Sequence, residues 1–227
     1  MKPLFGRACG ALAFGVLLLV LTAAGFPSNP VDEAVSAALA ARGAVFAERC
    51  TDEVFVRRVY LDVLGTLPRP RETEAFLKST DPDKRAGLVE QLFLREEYAD
   101  WWSLRWGDVL RVKSEFPINL WPNAVQAYHR WIREALRGNL PYDGFARALL
   151  TSSGSNFRDP PVNFYRAVAA RDPASLAGAA ALTFMGTRLE TWPAPARADM
   201  AAFFSRVAYK KTLEWKEEIV YSDPLAA

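Results

Sequence analysis

Residues 52–70 read DEVFVRRVYLDVLGTLPRP, and the architecture of the whole chain is present in them in miniature. Asp52 and Glu53 place negative charge where a helix begins and where its dipole favours it. Phe55, Val56, Val59, Tyr60 and Val63 fall at the i, i+3, i+4 spacing of a buried helix face. Gly65 stops the helix, and Pro68 and Pro70 prevent its continuation. The result is a helix of a few turns, amphipathic, closed by glycine and followed by proline.

The same unit recurs on both sides of proline after proline. Arg71 to Lys78 gives a short helix with Phe76 and Leu77 facing inward. Asp81-Pro82 is an N-cap followed by proline at the first helical position, and predicts a helix from Pro82 to Leu94 carrying Leu88, Leu92 and Phe93. Glu96 to Val112 aligns Tyr98, Trp102, Trp106 and Val109 on one side, with Trp101 beside them. Pro122 opens a helix to Leu136 that Gly138 ends, and Pro141 opens another to Leu150. Asp172-Pro173 caps a helix to about Thr187 that is rich in small residues from Ala177 to Ala181. Pro195 starts an amphipathic helix to Val207 with Met200, Phe203 and Phe204. Two stretches break the pattern. Thr151 to Pro161 (TSSGSNFRDPP) is polar and reads as a surface loop of functional size. From Lys210 to Tyr221, Leu213, Trp215, Ile219 and Tyr221 at odd positions hint at a strand or an extended tail. No repeat, linker or heptad run appears. The expectation is one all-α domain of about eight helices over residues 31–207, with a C-terminal tail at 208–227.

Ahead of it stands a leader. Lys2 and Arg7 form a charged region, Ala11 to Leu21 an apolar run, and Thr22-Ala23-Ala24 a small-residue cleavage site, so residues 1–25 read as a signal peptide or an N-terminal anchor. Cys9 precedes the apolar run, unlike a lipoprotein cysteine, and no twin arginine is present. The setting expected is extracytoplasmic, with membrane contact only through an uncleaved leader. The formal charge of +2 belongs to the leader, and the remainder holds 26 basic and 26 acidic side chains. A nucleic-acid binder shows a basic surplus, and this chain has none.

Beyond the leader there is one cysteine, Cys50, and one histidine, His129. That excludes an intramolecular disulfide there, a Cys-x-x-Cys-His haem attachment and a Cys/His zinc cluster, and no cofactor or metal is expected. Each remaining candidate has a plain structural account beside the functional one. His129 lies in the row Val125, His129, Ile132, Leu136, where it is a hydrogen-bonded packing residue or a base. Arg58 and Asp62 stand i, i+4 on one face, where they form a partly buried pair or supply a carboxylate acid. Trp101, Trp102 and Trp106 with Asp108 and Arg111 form core or a stacking platform for a sugar. Ser152, Ser153 and Ser155 flank Gly154 without the strand-turn-helix context of a nucleophile elbow. Asp62, Asp108 and His129 are thus the catalytic candidates, and Trp101, Ser153 and Asn163 the expected ligand surface.

Several stretches in order resemble one family. They are residues 55–68, Asp83-Lys-Arg85 with Leu88-Val89, Trp106-Gly-Asp-Val-Leu-Arg111, Trp131-Ile-Arg-Glu134, Asn139-Leu-Pro-Tyr-Asp143, Thr151-Ser-Ser-Gly-Ser155 and Asn163-Phe-Tyr-Arg166. They are similar to the second domain of the planctomycete secreted cytochromes, a domain of unknown function. The resemblance runs from about Val31 to Val207 and implies an extracytoplasmic, mainly helical module found beside cytochrome c-like domains. Relatives continue after the Met185-Gly-Thr-Arg-Leu189 stretch with Cys-x-x-Cys-His, whereas here Leu189 is followed by Glu190-Thr191-Trp192. Arg69 also stands where a capping Ser or Thr is expected. The implied function is a binding or scaffold module without covalent haem, its partner a cytochrome or another secreted protein. The alternative is a carboxylate-dependent hydrolase or carbohydrate-active protein using Asp62 and Asp108. A third reading holds haem non-covalently through His129 with Met185 or Met200.

Overall fold

A computed structural model describes residues 29–115 and 120–226. The expected leader at 1–25 lies outside the described residues. The described residues fall into two units, one ending at Arg49 and one beginning at Cys50. The described part of the first unit holds α1 (Pro30–Ala40), capped by Asn29, whose Oδ1 accepts from the backbone N–H groups of Val31 (2.9 Å) and Asp32 (3.0 Å). None of its residues is buried.

The second unit opens with α2 (Asp52–Leu64), α3 (Pro70–Lys78) and α4 (Lys84–Phe93). Val56, Val59, Tyr60 and Leu64 from α2, Phe76 from α3 and Leu92 from α4 form a small core of their own. The predicted stripe and stop are both present: Gly65 closes α2 with φ +69° and donates its N–H to the Leu61 carbonyl at 3.1 Å. Only glycine suits this position on two counts, since a Cβ there would also sit 2.3 Å from ring carbons of Trp101. Arg69 does not cap α3 with its side chain. Glu72 instead reaches back, and its Oε2 accepts the Arg69 N–H at 2.7 Å. The expected start of α4 at Pro82 is corrected to Lys84, because Asp81 folds onto its own backbone first: its Oδ1 accepts the Asp83 N–H at 2.8 Å.

α5 (Glu96–Val109), α6 (Pro122–Arg137) and α7 (Tyr142–Leu150) follow, then α8 (Asn163–Arg166), α9 (Pro173–Met185) and α10 (Ala194–Ala202). Tyr128 and Ile132 of α6, Phe145 and Leu149 of α7, Phe164 of α8 and Leu176 of α9 lie in one larger core. Ala177, Ala180 and Ala181 are buried in α9, so small residues there bring backbones together. The Asp172 cap is realised, its Oδ1 accepting the Ser175 N–H at 3.0 Å. Among the described residues the chain is mainly helical, with ten α-helices and one small sheet.

That sheet is where the structure departs furthest from expectation. β1 (Gly154–Ser155), β2 (Val207–Lys211) and β3 (Glu218–Ser222) form an antiparallel sheet in the order β1-β3-β2, pairing Gly154 with Val220 and Tyr209 with Val220. The C-terminal segment is therefore a hairpin fixed to the body of the fold, not a tail. The stretch 151–161 is not simply a surface loop either, since Ser155 and Asn156 are buried. The inward face of β3 is the even one, with Glu218 and Val220 buried, although the odd positions carried the apolar signal. In a strand one residue of phase decides the face, and Glu218 has arginine partners inside.

Candidate functional site

The hairpin is held from below by a buried polar frame. Glu217 accepts from the Ser155 hydroxyl (2.6 Å) and the Thr212 hydroxyl (2.7 Å), and these bonds hold its carboxyl below the usual range. Asn156 reads the backbone of the same segment: its Oδ1 accepts the Glu218 N–H (2.9 Å) and its Nδ2 donates to the Lys216 carbonyl (3.3 Å). Glu218 lies between two guanidinium groups, Arg166 Nε at 2.9 Å and Arg171 Nη1 at 2.8 Å. Burial raises its pKa, but the bonds from Arg171 and Arg166 outweigh burial and the net shift is downward. Asn163 completes the frame, donating to the carbonyls of Asn156 (2.8 Å) and Pro160 (3.0 Å) and accepting from Arg166 Nη1 at 3.2 Å.

Upon this frame stands an exposed apolar tip. Leu213 is fully exposed and Trp215 is 72% exposed, in the turn between β2 and β3. Trp215 meets the half-buried Trp121 edge-on with ring centroids 4.8 Å apart. Lys216 places its ammonium 4.4 Å from the Trp121 ring centroid and 5.4 Å from that of Trp215. Trp121 and Lys216 both have positive φ, +67° and +64°, which in non-glycine residues marks backbone held in place by its surroundings. Two indole rings and a cation on a fixed mount are suited to gripping an apolar or sugar surface. Sequence reasoning missed this pair. Trp121-Pro122 and Trp215 are visible as tryptophans, but no local rule joins residues so far apart.

The residues singled out from sequence are dispersed. Asp62 on α2 and Asp108 on α5 are both exposed, and no ion pair engages either among the described residues. The partly buried Arg58–Asp62 pair is not formed, because both side chains face solvent. His129 is half-buried on α6, with Nε2 3.2 Å from the Ser103 hydroxyl. That hydroxyl is wholly buried in α5 and donates to the Asp100 carbonyl at 2.9 Å. The pair ties α5 to α6, and the serine has no access to a substrate. Trp101 is half-buried against Gly65, with the Arg105 guanidinium over its ring at 4.4 Å. Trp102 donates its Nε1–H to the Val63 carbonyl at 3.1 Å, and Trp106 packs edge-on to Phe145. Ser153 is exposed and donates to the Val220 carbonyl at 3.1 Å. Asn163 is corrected as a ligand residue: it is wholly buried and its amide is spent on the frame. Met185 is exposed at the end of α9, while Met200 is partly buried against the larger core.

A charged cleft near α3 and α4, about 560 Å³, is lined by Tyr60, Glu72, Phe76, Lys84 and Arg95 among others. Its two cations are already matched. Arg95 pairs with Glu72 and Glu97, and Lys84 with Asp52 at 2.6 Å. Glu97 is pulled down to about 2 chiefly by its bond from Arg95. A general acid or base needs a carboxyl poised near neutrality, and Glu97 and Asp52 are tuned the other way.

The family described as a protein of unknown function (PSCyt2, DUF1549) matches residues 30–191. No curated protein and no solved structure matches. The chain belongs to that family.

Proposed function

We propose that this chain is an extracytoplasmic binding module whose recognition element is the tip of the β2–β3 hairpin together with Trp121. The observation that carries the reading is the contrast within the hairpin: a base locked by Ser155, Asn156, Arg166 and Arg171, and a tip that presents Leu213 and Trp215 to solvent. Apolar side chains displayed on a rigid mount lose little freedom on binding and serve as anchors at interfaces. The leader pattern at 1–25 supports an extracytoplasmic setting. The occupant we favour is a secreted protein, a cytochrome in keeping with the resemblance. The hydrolase reading has less behind it, since Asp62 and Asp108 are both exposed, on α2 and α5, and no cleft brings them together with a tryptophan among the described residues.

A photo-crosslinker placed at position 215 in the full chain, expressed in its own host, tests this. The expected product is a discrete adduct with one extracytoplasmic protein, absent when the crosslinker replaces Asp62. A parallel titration with oligosaccharides, read by tryptophan fluorescence, addresses a sugar ligand. A saturable quench lost in Trp215→Ala, without a protein adduct, would replace the protein partner with a carbohydrate. No preference for position 215 and no quench would overturn the proposal. Fractionation and N-terminal sequencing of the mature chain test its location.

A further inference from the structure

Arg111 breaks a rule that the other inward-facing arginines obey. Arg166 meets Glu218 and Asn163, Arg85 meets Asp52 and the Cys50 carbonyl, and Arg95 meets Glu72 and Glu97. Arg111 closes the Trp106-Gly-Asp-Val-Leu-Arg111 stretch just beyond α5, where it adopts φ +58°, a seat that usually belongs to glycine. The helix end is well formed around it: the Arg111 N–H donates to the Asp108 carbonyl at 3.2 Å and the Val112 N–H to the Gly107 carbonyl at 2.9 Å. From that seat the side chain turns inward. Its Nε and Nη2 are shut off from solvent and have no hydrogen-bond partner. The Phe164 ring lies 5.8 Å from the guanidinium carbon. The Tyr128 hydroxyl, on a side chain with no exposure at all, is likewise without a partner, and the Arg111 charge reaches it.

These are unusual atoms to leave unmatched. Nε–H and Nη2–H lie side by side on one edge of the guanidinium and converge on a single acceptor or a single carboxylate. Burial lowers the Arg111 pKa and raises that of Tyr128, yet an arginine keeps its proton at neutral pH. The interior therefore holds a positive charge, the two adjacent donors of one guanidinium edge and a nearby unpartnered hydroxyl, with no acceptor bonded to the Nε/Nη2 edge among the described residues. An aromatic face offsets part of the charge and accepts none of these hydrogen bonds in the guanidinium plane.

We propose that the Nε/Nη2 edge of Arg111 is an internal binding site for one small monovalent anion, of chloride or formate size, with the Tyr128 hydroxyl as the neighbouring donor. The half-exposed remainder of Arg111 provides the way in. This site is independent of the hairpin tip.

The test uses the full chain at constant ionic strength, with gluconate as the bulky reference anion. Chloride and formate are titrated in while the unfolding midpoint is followed, and the line width of the ³⁵Cl resonance is recorded in parallel. The expected result is a saturable rise in midpoint and a broadened chloride line that formate sharpens by competition. A response to formate alone assigns the site to a carboxylate, and a response to chloride alone to a halide. Arg111→Met should abolish both signals. Should that variant not fold, Tyr128→Phe keeps the guanidinium and should weaken binding about two- to tenfold, as the loss of one hydrogen bond does. No saturable response in the unaltered protein, or an equal response in Arg111→Met, would overturn the assignment and leave an adventitious ion only.

Discussion

The small core around α2 and the frame under the hairpin solve the same problem by opposite means. Around α2, Val56, Tyr60, Phe76 and Leu92 bury apolar surface, and charges stay at the rim, where Arg85 and Lys84 both pair with Asp52. Under the hairpin the buried groups are themselves polar: Ser155, Asn156, Asn163, Arg166, Glu217 and Glu218. The first arrangement tolerates changes in partner, since burial of apolar area is non-directional. The second does not, since each buried polar group needs its own counterpart. The difference explains how a two-stranded hairpin, marginal by itself, can hold an apolar tip in water.

The sharpest way to break the contrast is Arg166→Ala, which strands Glu218 with only the more exposed Arg171. A loss of about 3–5 kcal/mol is expected in urea unfolding, against little loss for rim pairs such as Lys78–Glu74. The double replacement Arg166→Met, Glu218→Leu should recover much of that loss, because the desolvation cost disappears with the charges. Failure of the double variant to recover would show that the frame holds the hairpin by geometry more than by charge.

Next in size is Gly65→Ala on the α2 side. The positive φ alone costs about 1–3 kcal/mol, and the added methyl must displace Trp101. Hydrogen exchange should show the opening confined to α2–α4, with β3 still protected. Equal loss in both regions would mean the two cores unfold as one.

Acid should separate the regions less strongly. Glu218 and Asp52 both have folded-state pKa values below their ordinary ones, Asp52 through hydrogen bonds from Lys84 and then Arg85. A depressed carboxylate adds stability above its unfolded pKa, and that stability is lost as pH falls through the folded value. The midpoint should therefore hold steady from about pH 8 to 5 and fall below about pH 4. In the Arg166→Met, Glu218→Leu variant the acid limb should be shallower. The smallest effects belong to Asp62→Ala and Asp108→Ala, each within about 0.5 kcal/mol of the parent in stability. A large effect from either would return it to the list of functional residues.

The helices were readable one at a time. The α2 stripe, the Gly65 stop and the Asp172 cap each rest on residues within one or two turns of each other. Errors at this level were local as well: α4 starts two residues late because Asp81 spends its carboxylate on a turn. The hairpin was visible only as a hint of a strand at odd positions, whereas the buried face of β3 is the even one, because the polar Glu218 points inward toward Arg166. Asn163 looked like a surface ligand for the same reason: a polar residue in a polar stretch gives no sign that its partners are buried beside it. Trp101, Trp102 and Trp106 pack against neighbouring side chains or backbone, while nothing in the sequence joined the half-buried Trp121 to the exposed Trp215.

By itself, then, the sequence determined the helical class and most of the places where helices begin. Periodicity, caps and glycine stops act between near neighbours, so they can be read in one dimension. Only the tertiary structure decided that Glu217 and Glu218 lie beneath the hairpin, that Trp121 meets Trp215, and that Arg111 turns inward without a partner. Those outcomes depend on contacts between segments dozens of residues apart. A buried hydrogen bond is specified by where two chain segments meet, and that meeting is set by the packing of every helix between them.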